Sequence, residues 1–250
     1  MSHYTEAIQT IQHVRQQTGT AVLFYSAGGK DSIALLDMLA TRFEKVICYY
    51  MYLIPGLDHI RPYIEWPARR YGNVEVRQIE HYQKDSMDKL GLFKDADPAY
   101  SLPPRHPDRK KVRSVGDVEE TVRRETGQHY VFSGMKGVDG YMKRMRLLLY
   151  RKRSGGLFIN EKGMVYPLAQ WTNGEVLQYI RKRNLIRPFV YVGGNVSQGF
   201  GIDLETLLFL RDRYPADLQR TLNEFPYAQK LIWDYEHGKV TTSTKQVLKS

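Results

Sequence analysis

The sequence predicts an α/β fold, a parallel sheet flanked by helices and followed by a helical C-terminal lobe. Three observations point there. "TAVLFYS" (20–26) is a short and almost wholly apolar run, the kind that forms a strand covered on both faces. Further strand-like runs follow at "KVICYYMYL" (45–53), "NVEVRQI" (73–79) and "HYVFSG" (129–134), separated by helical stretches, which is the alternation of βαβ units. Beyond residue 201 the pattern turns wholly helical, over "DLETLLFLRDRYPADLQRTLNEFPYAQKLIWDYEHG".

Taken in chain order, residues 3 to 18 read as an amphipathic helix with Ala7, Ile8, Ile11 and Val14 on one side. A helix from Ser32 to about Thr41 follows the first strand, and "IRPYIEWPARRYG" continues the second strand as a helix interrupted by prolines. From Gly91 to Arg113 the chain turns to Pro, Asp and basic residues and reads as a long loop. Helix resumes over "VGDVEETVRRETG", and "LFINEKGMVYPL" is expected to form a short hairpin turning at Lys162–Gly163. In "QWTNGEVLQYIRKRN", Thr172 and Glu175 have the spacing of a capping box, Trp171 and Val176 that of a hydrophobic staple, and Val176, Tyr179 and Ile180 give a buried stripe. "VGGNVSQGFG" (192–201) reads as a glycine-rich loop, and the last dozen polar and basic residues as a frayed end. The whole is a Rossmann-like parallel sheet, with an α/β domain expected over 1–190 and a helical region over 191–250.

Composition narrows the function. The 250 residues are 42% hydrophobic and 26% charged, ordinary values for a globular protein. No apolar run approaches the roughly 20 residues that span a bilayer, and no secretory signal pattern opens the chain, so a cytoplasmic protein without a membrane partner is expected. Cys48 is the one cysteine of the sequence, which leaves no intramolecular disulfide, CxxC pair or all-cysteine iron–sulfur site; in its apolar strand it reads as packing. Lys and Arg number 37 against 27 Asp and Glu, a net charge of +10 that favours an anionic partner. The surplus gathers in "RHPDRKKVR" (105–113) and "KRMRLLLYRKR" (143–153), which keeps nucleic acid among the candidate partners, although Tyr150 is the one aromatic inside the second cluster.

The segment between the first strand and the next helix, "YSAGGKDS", carries the chemistry. Ligands of open α/β sheets bind beyond the carboxyl ends of the strands. Gly28 and Gly29 lack Cβ atoms and let backbone N–H groups approach one object, and a helix N-terminus favours an anion. Lys30 adds a full charge, and the Ser26 and Ser32 hydroxyls can donate to phosphate oxygens. A pyrophosphate fits these residues. The Walker pattern does not, because Asp31 separates the lysine from the hydroxyl. An aspartate repels phosphate unless it holds magnesium or a backbone amide, and a purely structural Gly-Gly turn is the plainer alternative.

"YSAGGKDSIALL" resembles the SGGxDS pyrophosphate loop (PP-loop) of the adenine nucleotide α-hydrolase-like superfamily, and within it the PAPS reductase family. "VFSGMKGVDGYMKR" is similar to that family's strand followed by G-x-R-x-x-E-S-x-x-R, with Lys136, Asp139 and Arg144 at the charged positions. "YPLAQWTNGEVLQYIRKRNL" is similar to its P-L-x-x-W-T-x-x-[DE]-[VI]-x-x-Y-I segment. The departures are Ala27 in place of the motif's first serine, Lys136 in place of arginine, and "MYLIPGLD" in place of D-T-G after the second strand.

The resemblance implies binding of ATP or a related adenine nucleotide, split between the α- and β-phosphates to adenylylate an acceptor. Gly28, Gly29, Lys30 and Ser32 would hold the departing phosphates, Lys136 and Arg144 would reach them from the neighbouring loop, and Asp31 would orient the loop or bind Mg²⁺. PAPS reductases attack sulfur with a C-terminal cysteine, which "KQVLKS" lacks, so a cysteine-dependent reductase is not expected. A sulfate adenylyltransferase small-subunit-like activity, a partner subunit supplying the second substrate, and a nucleotide- or nucleic-acid-binding module without turnover, working in regulation or defence, stand as alternatives. A solvated basic face accounts for Lys136 and Arg144 nearly as well, and capping and packing account for Trp171.

Overall fold

The computed structural model describes residues 2–91, 93–94, 112–189 and 201–240. The loop expected over 91–113, the glycine-rich loop over 192–201 and the polar end of the chain lie mostly outside the described residues. In chain order the elements are α1 (His3–Arg15), β1 (Thr20–Phe24), α2 (Lys30–Ala40), β2 (Lys45–Tyr52), α3 (Arg61–Arg70), β3 (Val74–Glu80), α4 (Tyr82–Leu90), α5 (Val115–Thr126), β4 (Val131–Phe132), α6 (Tyr141–Arg153), β5 (Met164–Val165), α7 (Asn173–Lys182), α8 (Leu204–Arg213), α9 (Pro215–Glu224) and α10 (Gln229–Glu236). They group into two compact units, one of Met1–Met51, Tyr63–Ile79 and Glu119–Phe189, the other of Tyr52–Pro62, Glu80–Val118 and Val190–Ser250.

The first unit carries the sheet, in the order β3-β2-β1-β4-β5. β1 pairs parallel with β2 from Thr20↔Lys45 to Phe24↔Tyr49 and, on its other edge, parallel with β4 through Val22↔Val131 and Leu23↔Phe132. β5 extends the sheet, parallel to β4. The chain therefore winds outward through β2 and β3, then crosses back to β4, and the reversal between β1 and β4 opens the crevice where such sheets take ligands. Ala21, Val22 and Leu23 of β1 are wholly buried, as a central strand covered on both faces requires.

The hairpin expected at 162–163 forms only in part. Asn160 and Gly163 close the turn, with Gly163 at φ +80°, but the antiparallel arm is a single bridge between Ile159 and Val165. The second arm instead becomes β5, because the Val131 and Ser133 amides bond to the Gly163 and Val165 carbonyls. α3 runs through Pro67 without a break. A proline leaves the carbonyl four residues back without its helical donor, and here that carbonyl, Tyr63 O, accepts the Tyr25 hydroxyl at 3.1 Å.

α2 is buried nearly all round, and its one wholly buried acid ties it to α7 and to the end of α3. Asp37 accepts bonds from the hydroxyls of Tyr71 (2.7 Å) and Tyr179 (2.6 Å) and from Arg183 Nε (2.9 Å). Burial alone would raise this carboxyl's pKa, but the bonds from Arg183, Tyr179 and Tyr71 outweigh it and hold it below the ordinary carboxylate range. α7 starts on the capping box the sequence indicates, with Glu175 N donating to Thr172 Oγ1 and Thr172 N to Glu175 Oε2.

In the second unit α8, α9 and α10 are helical as expected. Asp217 of α9 is buried and accepts from the backbone N–H groups of Asp58 and His59 at 2.9 Å, with His59 Nδ1 at 2.7 Å. Burial lowers the His59 pKa despite this carboxylate, so the pair reads as a structural pin. Among the described residues no helix is long and apolar enough to cross a membrane.

Candidate functional site

β1 ends at Phe24, and Tyr25 carries the pairing one step further by donating to Tyr49 O at 2.9 Å. The chain then turns tightly, with Gly29 N bonded to Ser26 O at 2.9 Å and Gly28 at φ +78°. That conformation needs glycine at the third position of the turn. Gly29 caps α2 in extended geometry, with no side-chain cap bond. The first-turn N–H groups of α2, with no acceptor inside the helix, therefore lack a side-chain cap and face the crevice end of the sheet. Ser32 Oγ accepts the Ser26 N–H at 2.9 Å and braces the loop from within.

The glycines also serve packing. A Cβ on Gly28 would lie 2.1 Å from the ring of Phe189, whose N–H donates to Gly28 O at 3.1 Å. A Cβ on Gly29 would lie 3.0 Å from Ser26 Oγ. We expect Gly28→Ala to destabilise the fold by at least about 2 kcal/mol through backbone strain and overpacking. A denaturant midpoint equal to wild type would remove this account of the loop.

Two lysines and two aspartates meet behind the turn. Lys30 Nζ is 3.2 Å from Asp31 Oδ2. Lys136, from the loop after β4, is wholly buried, its Nζ 2.7 Å from the same Oδ2 and 3.2 Å from Asp139 Oδ1. Lys30 donates a hydrogen bond across its distance, whereas the two Lys136 distances are ion-pair distances without hydrogen-bond direction: Lys136 Nζ has no hydrogen-bond partner, and neither has the buried Asp31 Oδ1. The Lys136 N–H donates to Asp139 Oδ2 at 3.1 Å, which fixes the loop that presents the ammonium. The two loops can meet because residue 134 is glycine; a Cβ there would stand 3.0 Å from the Asp31 Cβ.

The fold thus brings Ser26, Gly28, Gly29, Lys30, Asp31, Ser32 and Lys136 together at the switch point. Arg144 is placed differently. It is exposed on α6 and lines a cleft of about 330 Å³ with Gly137 and Leu148, and no described contact joins it to Asp31 or Lys136. Trp171 is buried, and its indole N–H donates to His3 O, in keeping with a packing role. Sequence reasoning missed Phe189 and the brace at Gly134. Gly134 stood in the quoted strand motif, whereas nothing local marked Phe189.

Cys48 is buried in β2, and desolvation pushes its thiol well above the ordinary range, away from the reactive thiolate. Among the described residues no three His, Cys, Asp or Glu side chains converge on one point. A magnesium ion does not need three, since it commonly takes one or two carboxylates together with substrate phosphates. The unpartnered Asp31 Oδ1 fits that mode.

Fold and site define an α/β protein with a glycine-lysine-aspartate loop at the switch point of a parallel sheet. The family model described as phosphoadenosine phosphosulfate reductase domain matches residues 20–199, and the chain belongs to this family, within the PP-loop, adenine nucleotide α-hydrolase-like superfamily. Among solved structures it is similar to a phosphoadenylyl-sulfate (PAPS) reductase from Candida auris, in a phosphate complex, at 16% identity over 72% of this chain and 81% of that one, with a TM-score of 0.43. It is also similar to the NH3-dependent NAD synthetase of Campylobacter jejuni subsp. jejuni, in complex with nitrate, at 12% identity over 97% and 99% of the two chains and a TM-score of 0.41. A third is the NAD+ synthetase of Burkholderia pseudomallei, at 14% identity over 96% and 89%, with a TM-score of 0.38. No curated protein matches the sequence significantly.

Proposed function

We propose that this protein binds ATP, or a related adenine nucleotide, at the N-terminus of α2 and transfers its adenylyl group to an acceptor with release of pyrophosphate. Family membership supports the nucleotide. The observation that carries the reading is the pair of buried lysines, Lys30 and Lys136, set against a helix start that no side chain caps. A buried ammonium without a hydrogen bond, as at Lys136, is unfavourable by itself and becomes favourable when an anion arrives.

In this reading the first-turn N–H groups and Lys30 grip the β- and γ-phosphates, and Lys136 meets them from the β4 side. Their charge stabilises the pyrophosphate as it leaves, in a dry, preorganised setting. Asp31 Oδ1, with the phosphates, would hold Mg²⁺, which supplies charge neutralisation on the phosphate oxygens. Asp31 Oδ2 keeps the two ammonium groups aligned until the ligand is bound. Sulfur attack by a cysteine has little support, because Cys48 is the one cysteine of the 250 residues and is buried.

Calorimetry with ATP and magnesium tests the reading. We expect saturable binding, weakened at least about tenfold in Lys30→Ala through loss of a charge-assisted contact, with the melting temperature nearly kept. Pyrophosphate release measured with and without sulfate or tRNA then separates turnover from mere binding. Absence of affinity for any adenine nucleotide would reject the proposal.

A further inference from the structure

The cleft beside α6 has the chemistry of an acceptor site. Val138, Leu147, Leu148 and Phe158 give it apolar walls, and Arg144 and Gln170 stand among its lining as the polar side chains. Its volume, about 330 Å³, is in the range of small-molecule pockets, which are mostly apolar with a few placed polar groups. The Gln170 amide donates to Glu6. Among the described residues no carboxylate pairs with Arg144, so a free guanidinium stands in an apolar cleft that has no acid in its lining. Gly137, which also lines the cleft, directly follows Lys136, and Lys136 touches Asp31 in the first turn of α2. The cleft and the candidate phosphate site therefore draw on consecutive residues of one loop.

From these features we infer that the cleft binds the acceptor of the adenylyl group, and that the acceptor is a small monocarboxylate with an apolar body, a single aromatic ring or a short alkyl chain. The inference rests on the nucleotide reading given above. The planar guanidinium matches a carboxylate through paired N–H bonds. Inorganic sulfate fits poorly, because the oxygens turned away from Arg144 would face leucine and phenylalanine without partners. The step balances without a further reactant. A carboxylate oxygen forms a bond to the α-phosphorus, the bond from that phosphorus to the bridging oxygen of the β-phosphate breaks, and the electron pair leaves with pyrophosphate. No proton need be removed and nothing is oxidised or reduced. The product is an acyl adenylate, activated for attack by an amine, thiol or alcohol.

The test uses the full chain with phenylacetate and hexanoate as probes and sulfate as control. Saturation-transfer NMR without nucleotide should show both carboxylates bound and sulfate not competing. Arg144→Met should weaken them about tenfold or more, with partial recovery in Arg144→Lys, because the charge returns without the fork. Leu148→Trp, which fills the cleft, should remove carboxylate binding while leaving ATP affinity in calorimetry intact. With ATP and magnesium, pyrophosphate exchange should depend on the carboxylate and fall in the same variants. Failure of both probes to bind, or binding indifferent to Arg144→Met and Leu148→Trp, overturns the inference. So does carboxylate binding with no exchange in a protein that binds ATP. A protein that binds carboxylate in the cleft but has no affinity for adenine nucleotides counts against the nucleotide reading, and the acceptor assignment falls with it while the cleft stands as a carboxylate site.

Discussion

Replacing Lys136 with methionine is expected to leave stability within about 1 kcal/mol of wild type while lowering pyrophosphate release by about 10²–10³-fold. The two halves have different causes. Lys136 is wholly buried and sits at ion-pair distance from Asp31 and Asp139 without a directed bond to either. Its desolvation penalty is therefore poorly offset in the unliganded chain, and a methionine of similar length removes it. The aspartates left behind are partly exposed, at 21% and 27%, and Asp31 keeps Lys30 as a partner, so water and the second lysine absorb the loss. The transition state loses one of its two preformed positive charges, the one Lys136 brings from the β4 side. Thermal melting and a pyrophosphate-release assay on one preparation decide it. A variant that melts far lower, yet turns over normally, would make Lys136 a structural residue.

Asp37→Ala should have the opposite profile, a loss of about 3 kcal/mol of stability from a buried, charge-assisted network with ATP affinity unchanged. Two tyrosine hydroxyls and a guanidinium converge on this one carboxylate, and removing it frees α7 and the end of α3 from α2 at once. The pH dependence follows from the lowered pKa. Because the folded value lies below the ordinary 3.8, the carboxylate's contribution is complete above that pH and is lost as pH falls through the folded value. The stability gap between wild type and variant should thus be constant above about pH 5 and narrow below pH 4. Urea midpoints across that range measure it, and a gap that does not change with acid would mean that the network does not stabilise through its charge.

Legibility in the sequence followed the range of the interactions. The loop over 26–32 and the capping box of Thr172 and Glu175 were readable because their partners lie within six residues of one another. The parallel sheet was readable from strands such as β1, buried on both faces. α6 was not, because Leu147 is its one buried residue and basic side chains mask the period. β5 reads as a hairpin arm in the sequence, since a two-residue strand carries no alternation and its pairing is decided by β4. The Asp37 network joins residues 34 to 146 positions apart, and no local pattern announces it. The meeting of Lys136 with Asp31 was implied only by the resemblance, and its geometry depends on Gly134.

The enclosure of Cys48 has a practical side. The chain's one sulfhydryl is sealed inside β2, so thiol-directed dyes should pass the folded protein by. A cysteine installed at an outward position such as Met142 of α6, 70% exposed, would then take a fluorophore singly and cleanly. The native chain is in effect already the cysteine-free background that spectroscopic labelling usually has to engineer.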